Sequence, residues 1–242
     1  MGVISLTYKQ MDEIRKNKPF GKGKEGSCYY HKNGKDVIKL YHSFFKQNQL
    51  YFDNLEDSNI AFPKDIIFYD KTQLIIGYTM PYLKGIDIVN GFPLDLNINQ
   101  LKYAYIKLKD LIKKYKEIYM DDLCLDNILY NNIENRFNLI DTSRWYPKNN
   151  GYLDNINDIN WLFTTILIYG IDMRIIDKDK YFQELKNEYT YYGVEKVKRS
   201  NQISYQEMDI NNMFIEMINY LIEKQSDIQG KKIKTIKDLY SK

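Results

Sequence analysis

The sequence contains few of the residues on which several classes of protein depend. Its 242 residues include two cysteines, Cys28 and Cys124, and two histidines, His31 and His42. Two cysteines do not support a disulfide framework, and they favour a reducing compartment. Neither histidine has a cysteine or histidine partner at metal-ligand spacing, which argues against a zinc site. A serine or cysteine nucleophile paired with a histidine base is equally unsupported.

Long apolar runs and a strong excess of one charge are also missing. No run reaches the roughly 20 residues that cross a bilayer, and residues 1–6 lack the basic region and apolar core of a secretory signal. The formal charge is only +3, and the lysines are scattered along predicted helices. We therefore expect a cytoplasmic protein that binds neither nucleic acid nor membrane. No repeat or linker interrupts the chain, so residues 1–242 are predicted to form one domain.

Three polar side chains with complementary chemistry occur between residues 119 and 141. Asp122 and Asn127 stand five positions apart, and Asp141 follows two apolar runs that are separated by a polar turn. This pattern predicts a hairpin with Asn127 and Asp141 at neighbouring ends. Their oxygens could share a magnesium ion, while Asp122 could stand beside an attacking hydroxyl. The arrangement is typical of a magnesium-nucleotide phosphotransfer site.

A glycine-rich segment near the N-terminus offers the second half of such a site. The pattern G-x-G-x-x-G is formed by Gly21, Gly23 and Gly26. Alone it is weak evidence, since a surface turn can have the same sequence. Here residues 28–30 favour a strand, Asn33 begins an Asn-Gly turn, and residues 37–41 favour a second strand. The glycines therefore lie in a hairpin and do not open a helix, as they would in a dinucleotide fold. Lys39 should face the space under the glycine loop, within reach of phosphate oxygens.

With these elements in this order, the chain resembles the protein kinase family. Gly21, Gly23 and Gly26 correspond to the loop that covers the ATP phosphates. Lys39 corresponds to the phosphate-binding lysine, Asp122 to the catalytic carboxylate, and Asn127 and Asp141 to the magnesium ligands. The resemblance implies ATP and Mg²⁺ as cofactors.

The resemblance also implies a fold and an adenine site. The fold is α+β with two lobes, a small antiparallel β-sheet lobe over residues 1–82 and a mainly helical lobe over residues 83–242. Residues 77–85 are similar to the hinge between such lobes. The adenine site would then consist of Met80 at its back, the Pro81 carbonyl and Leu83 amide at its edge, and Cys28 above it. Cys28 and Cys124 could equally be two unrelated buried thiols.

Several positions depart from the family pattern. Met120 and Asp121 replace the His-Arg pair before the catalytic aspartate, so an activating phosphate has no obvious docking group. Thr142 and Ser143 replace the Phe-Gly pair after Asp141, which removes an aromatic plug. No Ala-Pro-Glu follows, so the peptide-docking platform should be abbreviated or absent.

Two supporting carboxylates remain open at this level. Asn48 falls where the family has the glutamate that pairs with Lys39, and Asp53 and Glu56 are the nearby substitutes. Residues 122–127 resemble the catalytic loop of the family, and Asp158 is expected to brace this loop from a buried helix. Apolar periodicity predicts helices over residues 43–55, 99–118, 160–169, 178–198 and 209–225, with a short closing helix in 231–242.

The predicted function is ATP- and magnesium-dependent transfer of a phosphoryl group to a hydroxyl. The glycine loop and hinge favour a protein substrate, whereas the short segment after Asp141 resembles small-molecule kinases of the aminoglycoside and choline type. Acidic groups lining the substrate cleft would favour an amine-bearing acceptor. A third hypothesis is a pseudokinase that binds a nucleotide or a partner without turnover.

Overall fold

The protein has an α+β fold in which a sheet-rich lobe precedes a mainly helical one, as the sequence predicts. A computed structural model describes residues 2–42, 52, 55–70, 72, 74–88, 96–170, 213–227, 235, 237 and 238. Among these residues, no helix combines the length and the apolar character needed to span a membrane.

The small lobe is built on a twisted sheet whose strands run mostly antiparallel. Within the described ranges its six strands are β1 (Gly2–Leu6), β2 (Gly21–Lys22), β3 (Gly26–Tyr30), β4 (Asp36–Tyr41), β5 (Asp65–Tyr69) and β6 (Ile75–Pro81). They lie in the order β1-β5-β6-β4-β3-β2. The β1–β5 pair is parallel and the other neighbours are antiparallel. The two glycine-bounded hairpins, β2–β3 and β3–β4, therefore place the glycine loop at one edge of the sheet.

The first strand and the helix after it were not anticipated from the sequence. Helix α1 (Tyr8–Arg15) begins with a capping box, in which Gln10 N–H donates to the Thr7 hydroxyl at 3.3 Å. The Gln10 side-chain oxygen in turn accepts from Thr7 N–H at 2.8 Å. Thr-x-x-Gln is a recognisable helix-start signature, so this helix was open to prediction.

Both faces of the sheet are covered by apolar side chains, which alternate along each strand. On one face, α1 supplies Met11, which packs with Tyr29, Leu40, Ile67 and Ile76. The other face carries a buried cluster of Val37, Tyr41, Ala61, Ile66, Tyr78 and Met80. This second cluster is called the inter-lobe cluster below, because Leu83 and Ile140 from beyond the sheet pack against it.

The large lobe combines helices with short strand pairs. Its elements in the described ranges are β7 (Ile86–Asp87), α2 (Ile98–Lys114), β8 (Ile118–Tyr119), β9 (Ile128–Asn131), β10 (Arg136–Leu139), β11 (Tyr146–Pro147), α3 (Gly151–Gly170) and α4 (Met213–Asp227). The predicted hairpin is present as β9–β10, with Ile128 opposite Leu139. A separate core fills the lobe, and in it Tyr105 of α2 packs on Phe163 of α3 and Phe214 of α4.

Helix ends differ from the predicted ones for identifiable reasons. Helix α2 ends at Lys114 and not at residue 118, because Tyr115 leaves helical geometry and Ile118 turns back to pair with Pro147. Helix α3 begins at Gly151, nine residues before the predicted start. Helix α4 covers most of the predicted 209–225 stretch. The predicted helices at 178–198, most of 43–55 and most of 231–242 lie outside the described residues.

An extended segment before β5 joins the two lobes. Leu139 N–H donates to the Asn59 carbonyl at 2.8 Å, and Ala61 N–H donates to the Leu139 carbonyl at 2.9 Å. At the start of the segment, the Asp57 carboxylate accepts from Lys114 at 2.6 Å and from the Tyr115 hydroxyl at 2.9 Å. The small lobe is thus hydrogen-bonded to β10, the strand that leads into Asp141.

Candidate active site

The glycine loop is a tight turn, and the space around the backbone differs from one of its glycines to the next. Gly23 N–H donates to the Gly26 carbonyl at 3.0 Å and closes the hairpin. A Cβ atom on Gly26 would lie 2.5 Å from the Leu40 carbonyl oxygen, so close strand packing requires glycine there. A Cβ atom on Gly23 would meet nothing within 4 Å, and one on Gly21 would only touch Cys28. Gly23 therefore borders open space.

Lys39 lies beneath this loop on the inter-lobe face of the sheet. Cys28, Lys39 and Tyr78 are directly opposite one another on β3, β4 and β6, so their side chains share one face. The Lys39 side chain is only 6% exposed, and its ammonium group forms an ion pair with the Asp141 carboxylate. The ammonium also lies 5.8 Å from the centre of the Tyr78 ring. Two of the predicted site residues, 102 positions apart, are therefore in direct contact.

Of the positions considered from the sequence as partners of Lys39, only Glu56 is among the described residues. Asn48 and Asp53 lie outside the described residues, and Glu56 is exposed. Within the described part of the chain, the ion pair of Lys39 is with Asp141. Asp141, which is predicted to bind a metal, is thus paired with Lys39, which is predicted to bind phosphate.

Hydroxyl groups complete the surroundings of Asp141. Its Oδ1 accepts from the Ser143 hydroxyl at 3.3 Å and from the Tyr78 hydroxyl at 3.4 Å, and Ser143 is also hydrogen-bonded to Tyr41. Burial raises the pKa of Tyr41 and of Tyr78, and the nearby Asp141 charge raises both further. The two phenols therefore stay protonated and can donate at neutral pH. In the described residues no hydrogen bond to the second oxygen, Oδ2, is formed.

Thr142 occupies the position at which the family pattern has an aromatic plug. The side chain is buried, and its hydroxyl donates to the Ala61 carbonyl at 3.0 Å. Asp141 itself adopts left-handed backbone geometry, with φ 58° and ψ 53°, which aspartate tolerates better than most residues. A hydrogen bond to the segment before β5 thus fixes the backbone immediately after Asp141.

The catalytic-loop residues are connected through the backbone. The Asn127 side-chain amide donates to the Asp122 carbonyl at 2.9 Å, and Ile140 N–H donates to the Asn127 carbonyl at 3.0 Å. Asp122 has φ 64° and a half-exposed side chain. Together with the Lys39 pair, these bonds connect all four polar residues predicted for the site, either directly or through one neighbouring residue.

Asn155, three positions before the expected Asp158, is hydrogen-bonded to the chain that enters the catalytic loop. The fully buried Asn155 accepts from Met120 N–H at 2.9 Å and donates to the Ile118 carbonyl at 2.7 Å. Because α3 starts at Gly151, Asn155 lies near the start of the helix, about one turn before Asp158. Asp158 is half-buried near Tyr119, whose pKa is raised by burial and then by the Asp158 charge.

The residues predicted for adenine lie around one end of the inter-lobe cluster. Met80 belongs to the cluster, and Cys28 and Leu83 pack against it together with Ile140. Pro81 ends β6, and Tyr82 N–H continues the pairing by donating to the Lys35 carbonyl at 2.9 Å. Burial raises the pKa of Cys28 to about 11, against the opposing effect of Lys39. Cys28 is therefore a neutral thiol in an apolar wall.

Arg144 is a site residue that the sequence reasoning missed. Its guanidinium lies 2.8 Å from the Asp121 carboxylate, 3.9 Å from the Asp122 carboxylate and 4.0 Å from that of Glu25. Glu25 belongs to the glycine loop, so the arginine lies between the two loops of the site. The available signal was its position three residues after Asp141, but the family pattern assigns no role there.

The oxygen atoms of the site fit a magnesium ion bound together with phosphates. Asn127 Oδ1 and Asp141 Oδ2 accept no hydrogen bond in the described part of the chain. Mg²⁺ is commonly held by one or two protein oxygens, with substrate phosphates and water as the other ligands. Among the described residues no group of three or more His, Cys, Asp or Glu side chains forms a self-contained metal site.

Comparisons with known proteins concern the fold only. No family model matches the chain, and no curated protein matches it. Among solved structures, the kinase PK-1 of the Cydia pomonella granulovirus matches with a TM-score of 0.42 and 20% sequence identity. The match covers 57% of this chain and 58% of that one.

Proposed function

We propose that the protein is an ATP- and magnesium-dependent phosphotransferase that transfers the γ-phosphoryl group to a hydroxyl. The observation that carries the proposal is the Lys39–Asp141 ion pair, which joins the glycine-loop sheet to the hairpin that bears Asn127. A lysine, a carboxylate and an amide that converge beside an open glycine turn form a suitable site for a triphosphate and its metal.

Each polar residue has a defined task in the proposed reaction. Lys39 binds phosphate oxygens. Asn127 and Asp141 would hold Mg²⁺, which would neutralise charge on the phosphates. Asp122 orients the acceptor hydroxyl and takes its proton. A bond forms between the acceptor oxygen and the γ-phosphorus as the bond to the leaving ADP oxygen breaks. Positioning and charge neutralisation would provide most of the rate enhancement.

The nucleotide base is proposed to bind against the inter-lobe cluster. Cys28, Met80 and Leu83 supply apolar contacts, and the Pro81 carbonyl and Leu83 amide supply hydrogen bonds. Proline is suitable at position 81 because the proposed bond uses its carbonyl and needs no N–H. The neutral state of the Cys28 thiol is compatible with contact to an aromatic base.

Two acceptor classes are each favoured by a specific observation. The glycine loop and hinge are most similar to those of protein kinases, which favours a protein hydroxyl. Residues 142–150, in contrast, form one turn and strand β11, which pairs with β8 and leaves little chain for a peptide platform. Asp121, Asp122 and Glu25 also place negative charge around Arg144. These features favour a small acceptor that carries an amine.

A transfer assay with a matched pair of variants tests the proposal. Purified protein is given γ-labelled ATP and magnesium with three acceptors: itself, generic proteins, and a panel of aminoglycosides and amino alcohols. Asp122→Asn should reduce transfer by on the order of 100-fold or more, because the proton acceptor is lost. Asp126→Asn is the control, since Asp126 is an exposed carboxylate of the same loop with no proposed role.

The outcomes separate the hypotheses. Label in proteins or in amines identifies the acceptor class. Magnesium-dependent nucleotide binding without label in any acceptor would indicate a pseudokinase. Equal transfer by Asp122→Asn and the wild type would remove Asp122 from the reaction.

A further inference from the structure

Arg144 occupies the gap between the glycine loop and the catalytic loop. Its guanidinium is 4.0 Å from Glu25 on one side and 3.9 Å from Asp122 on the other. Its closest contact is Asp121, at 2.8 Å. A phosphoryl group that passes from a nucleotide under the glycine loop to a hydroxyl beside Asp122 must cross this gap.

A cation beside Asp122 would favour transfer through the gap, in addition to the metal and Lys39. The oxygens of the moving phosphoryl group carry negative charge, and the carboxylates of Asp121, Asp122 and Glu25 would repel them. Lys39 is paired with Asp141 deeper in the site, where it is almost fully buried. Within the described part of the chain, Arg144 is the cation whose ion pairs reach Asp122.

The Arg144 contacts are of a kind that a phosphate can replace. The side chain is 45% exposed, and exposed ion pairs contribute little to stability. Two of its three carboxylate contacts are near 4 Å and therefore longer than a charged hydrogen bond. A guanidinium can instead form two parallel bonds to phosphate oxygens, a geometry that lysine cannot reproduce.

We propose that Arg144 is a further catalytic residue, which binds oxygens of the γ-phosphoryl group before and during its transfer. The inference rests on the proposed phosphotransfer function. In the absence of nucleotide, Arg144 neutralises the carboxylates of both loops. When a triphosphate binds, the guanidinium exchanges the Glu25 and Asp122 carboxylates for phosphoryl oxygens, while its bond to Asp121 keeps it in the gap.

The test compares Arg144→Met and Arg144→Lys with Lys148→Met. Lys148 is a suitable control because it is 42% exposed, is paired with Asp154 at 2.8 Å, and follows in the same segment. For each protein, kcat and the KM for ATP are measured. The affinities for ADP and for a non-hydrolysable ATP analogue are measured separately with magnesium, and urea unfolding confirms that each variant is folded.

We expect Arg144→Met to lower kcat by about 100-fold or more, the usual effect of losing a cation or donor at the transferred group. Its preference for the ATP analogue over ADP should fall by about tenfold, since one charged contact to the γ-phosphate is lost. Arg144→Lys should recover part of kcat, and Lys148→Met should match the wild type in both measurements.

Three results would overturn the inference, and a further one concerns the proposed function itself. Unchanged kcat in Arg144→Met would make the arginine a surface ion pair, and increased kcat would make it a block on Asp122. If the wild type binds nucleotide without turnover, an unchanged preference of Arg144→Met for the ATP analogue over ADP would also refute the inference. A wild type that neither binds nor turns over ATP would refute the proposed function, and this inference with it.

Discussion

Removing either partner of the Lys39–Asp141 pair should destabilise the protein to different extents. Lys39 is 6% exposed and Asp141 is 32% exposed, so the lysine depends more on its partner than the carboxylate does. Asp141→Asn keeps a side chain that tolerates the left-handed backbone, but it leaves the buried ammonium with a neutral acceptor. Breaking a buried ion pair lowers the free energy of unfolding by about 3–5 kcal/mol. In Asp141→Asn the amide oxygen still accepts from the ammonium, so we expect a loss of about 2–3 kcal/mol.

Lys39→Met should lower the free energy of unfolding by less than Asp141→Asn does. Methionine fills a similar volume in an apolar environment, and the Asp141 carboxylate keeps its solvent contact and the hydroxyls of Tyr78 and Ser143. We expect a loss of about 1 kcal/mol. In the double variant Lys39→Met/Asp141→Asn no buried charge remains, so its loss should also be about 1 kcal/mol. The coupling energy is then about 2–3 kcal/mol.

Urea unfolding at pH 7 with a chelator present measures these differences. Fluorescence of the two tryptophans, the buried Trp145 and the partly buried Trp161, reports the transition. Equal slopes in urea would show that the variants unfold over the same surface area. The reasoning is refuted if Asp141→Asn is no more destabilised than Lys39→Met, or if the two effects simply add.

Three further predictions follow from the described contacts. Burial raises the pKa of Cys28 to about 11, so iodoacetamide should alkylate this thiol slowly at pH 8 and faster as the pH approaches 11. MgATP should protect the thiol from alkylation. Rapid alkylation at pH 7 would contradict this prediction. Gly26→Ala should destabilise the fold by about 2 kcal/mol or more through its backbone clash, whereas Gly23→Ala should fold normally in thermal unfolding and weaken only ATP binding. The pKa of Asp57 is lowered, since the bonds from Lys114, the Asn59 N–H and Tyr115 outweigh burial. Its stabilisation is therefore present above its unfolded-state pKa of about 4 and lost as the pH falls through the folded-state value. Asp57→Asn should lower the free energy of unfolding by about 1–2 kcal/mol at pH 7, and denaturation curves near pH 3 should show a smaller difference.

Local patterns predicted the parts of the site that local forces determine. The Asn33-Gly34 turn and the alternation along residues 37–41 fix the register of β3 and β4, and this register places Lys39 opposite Cys28. The turn between residues 131 and 135 likewise fixes the β9–β10 hairpin. In both cases the pairing strands are neighbours in sequence, so turn chemistry is sufficient.

The contacts that were missed depend on packing between distant elements. The pairing of Lys39 with Asp141 is decided by how the lobes meet, and no periodicity encodes it. Helix α3 begins with residues of poor helix propensity, including Gly151 and Asn155. Its start is set by contact with β8, where a Cβ on Gly151 would lie 2.5 Å from the Ile118 carbonyl oxygen. Tertiary packing thus overrode the local preference.

The amide of Asn155 has a consequence for how the protein responds to acid. A carboxylate at this position would become protonated at low pH and could not donate to the Ile118 carbonyl in its ionised form. The neutral amide donates and accepts at once and does not titrate. These two hydrogen bonds to α3 should therefore persist at a pH where the carboxylates nearby become protonated.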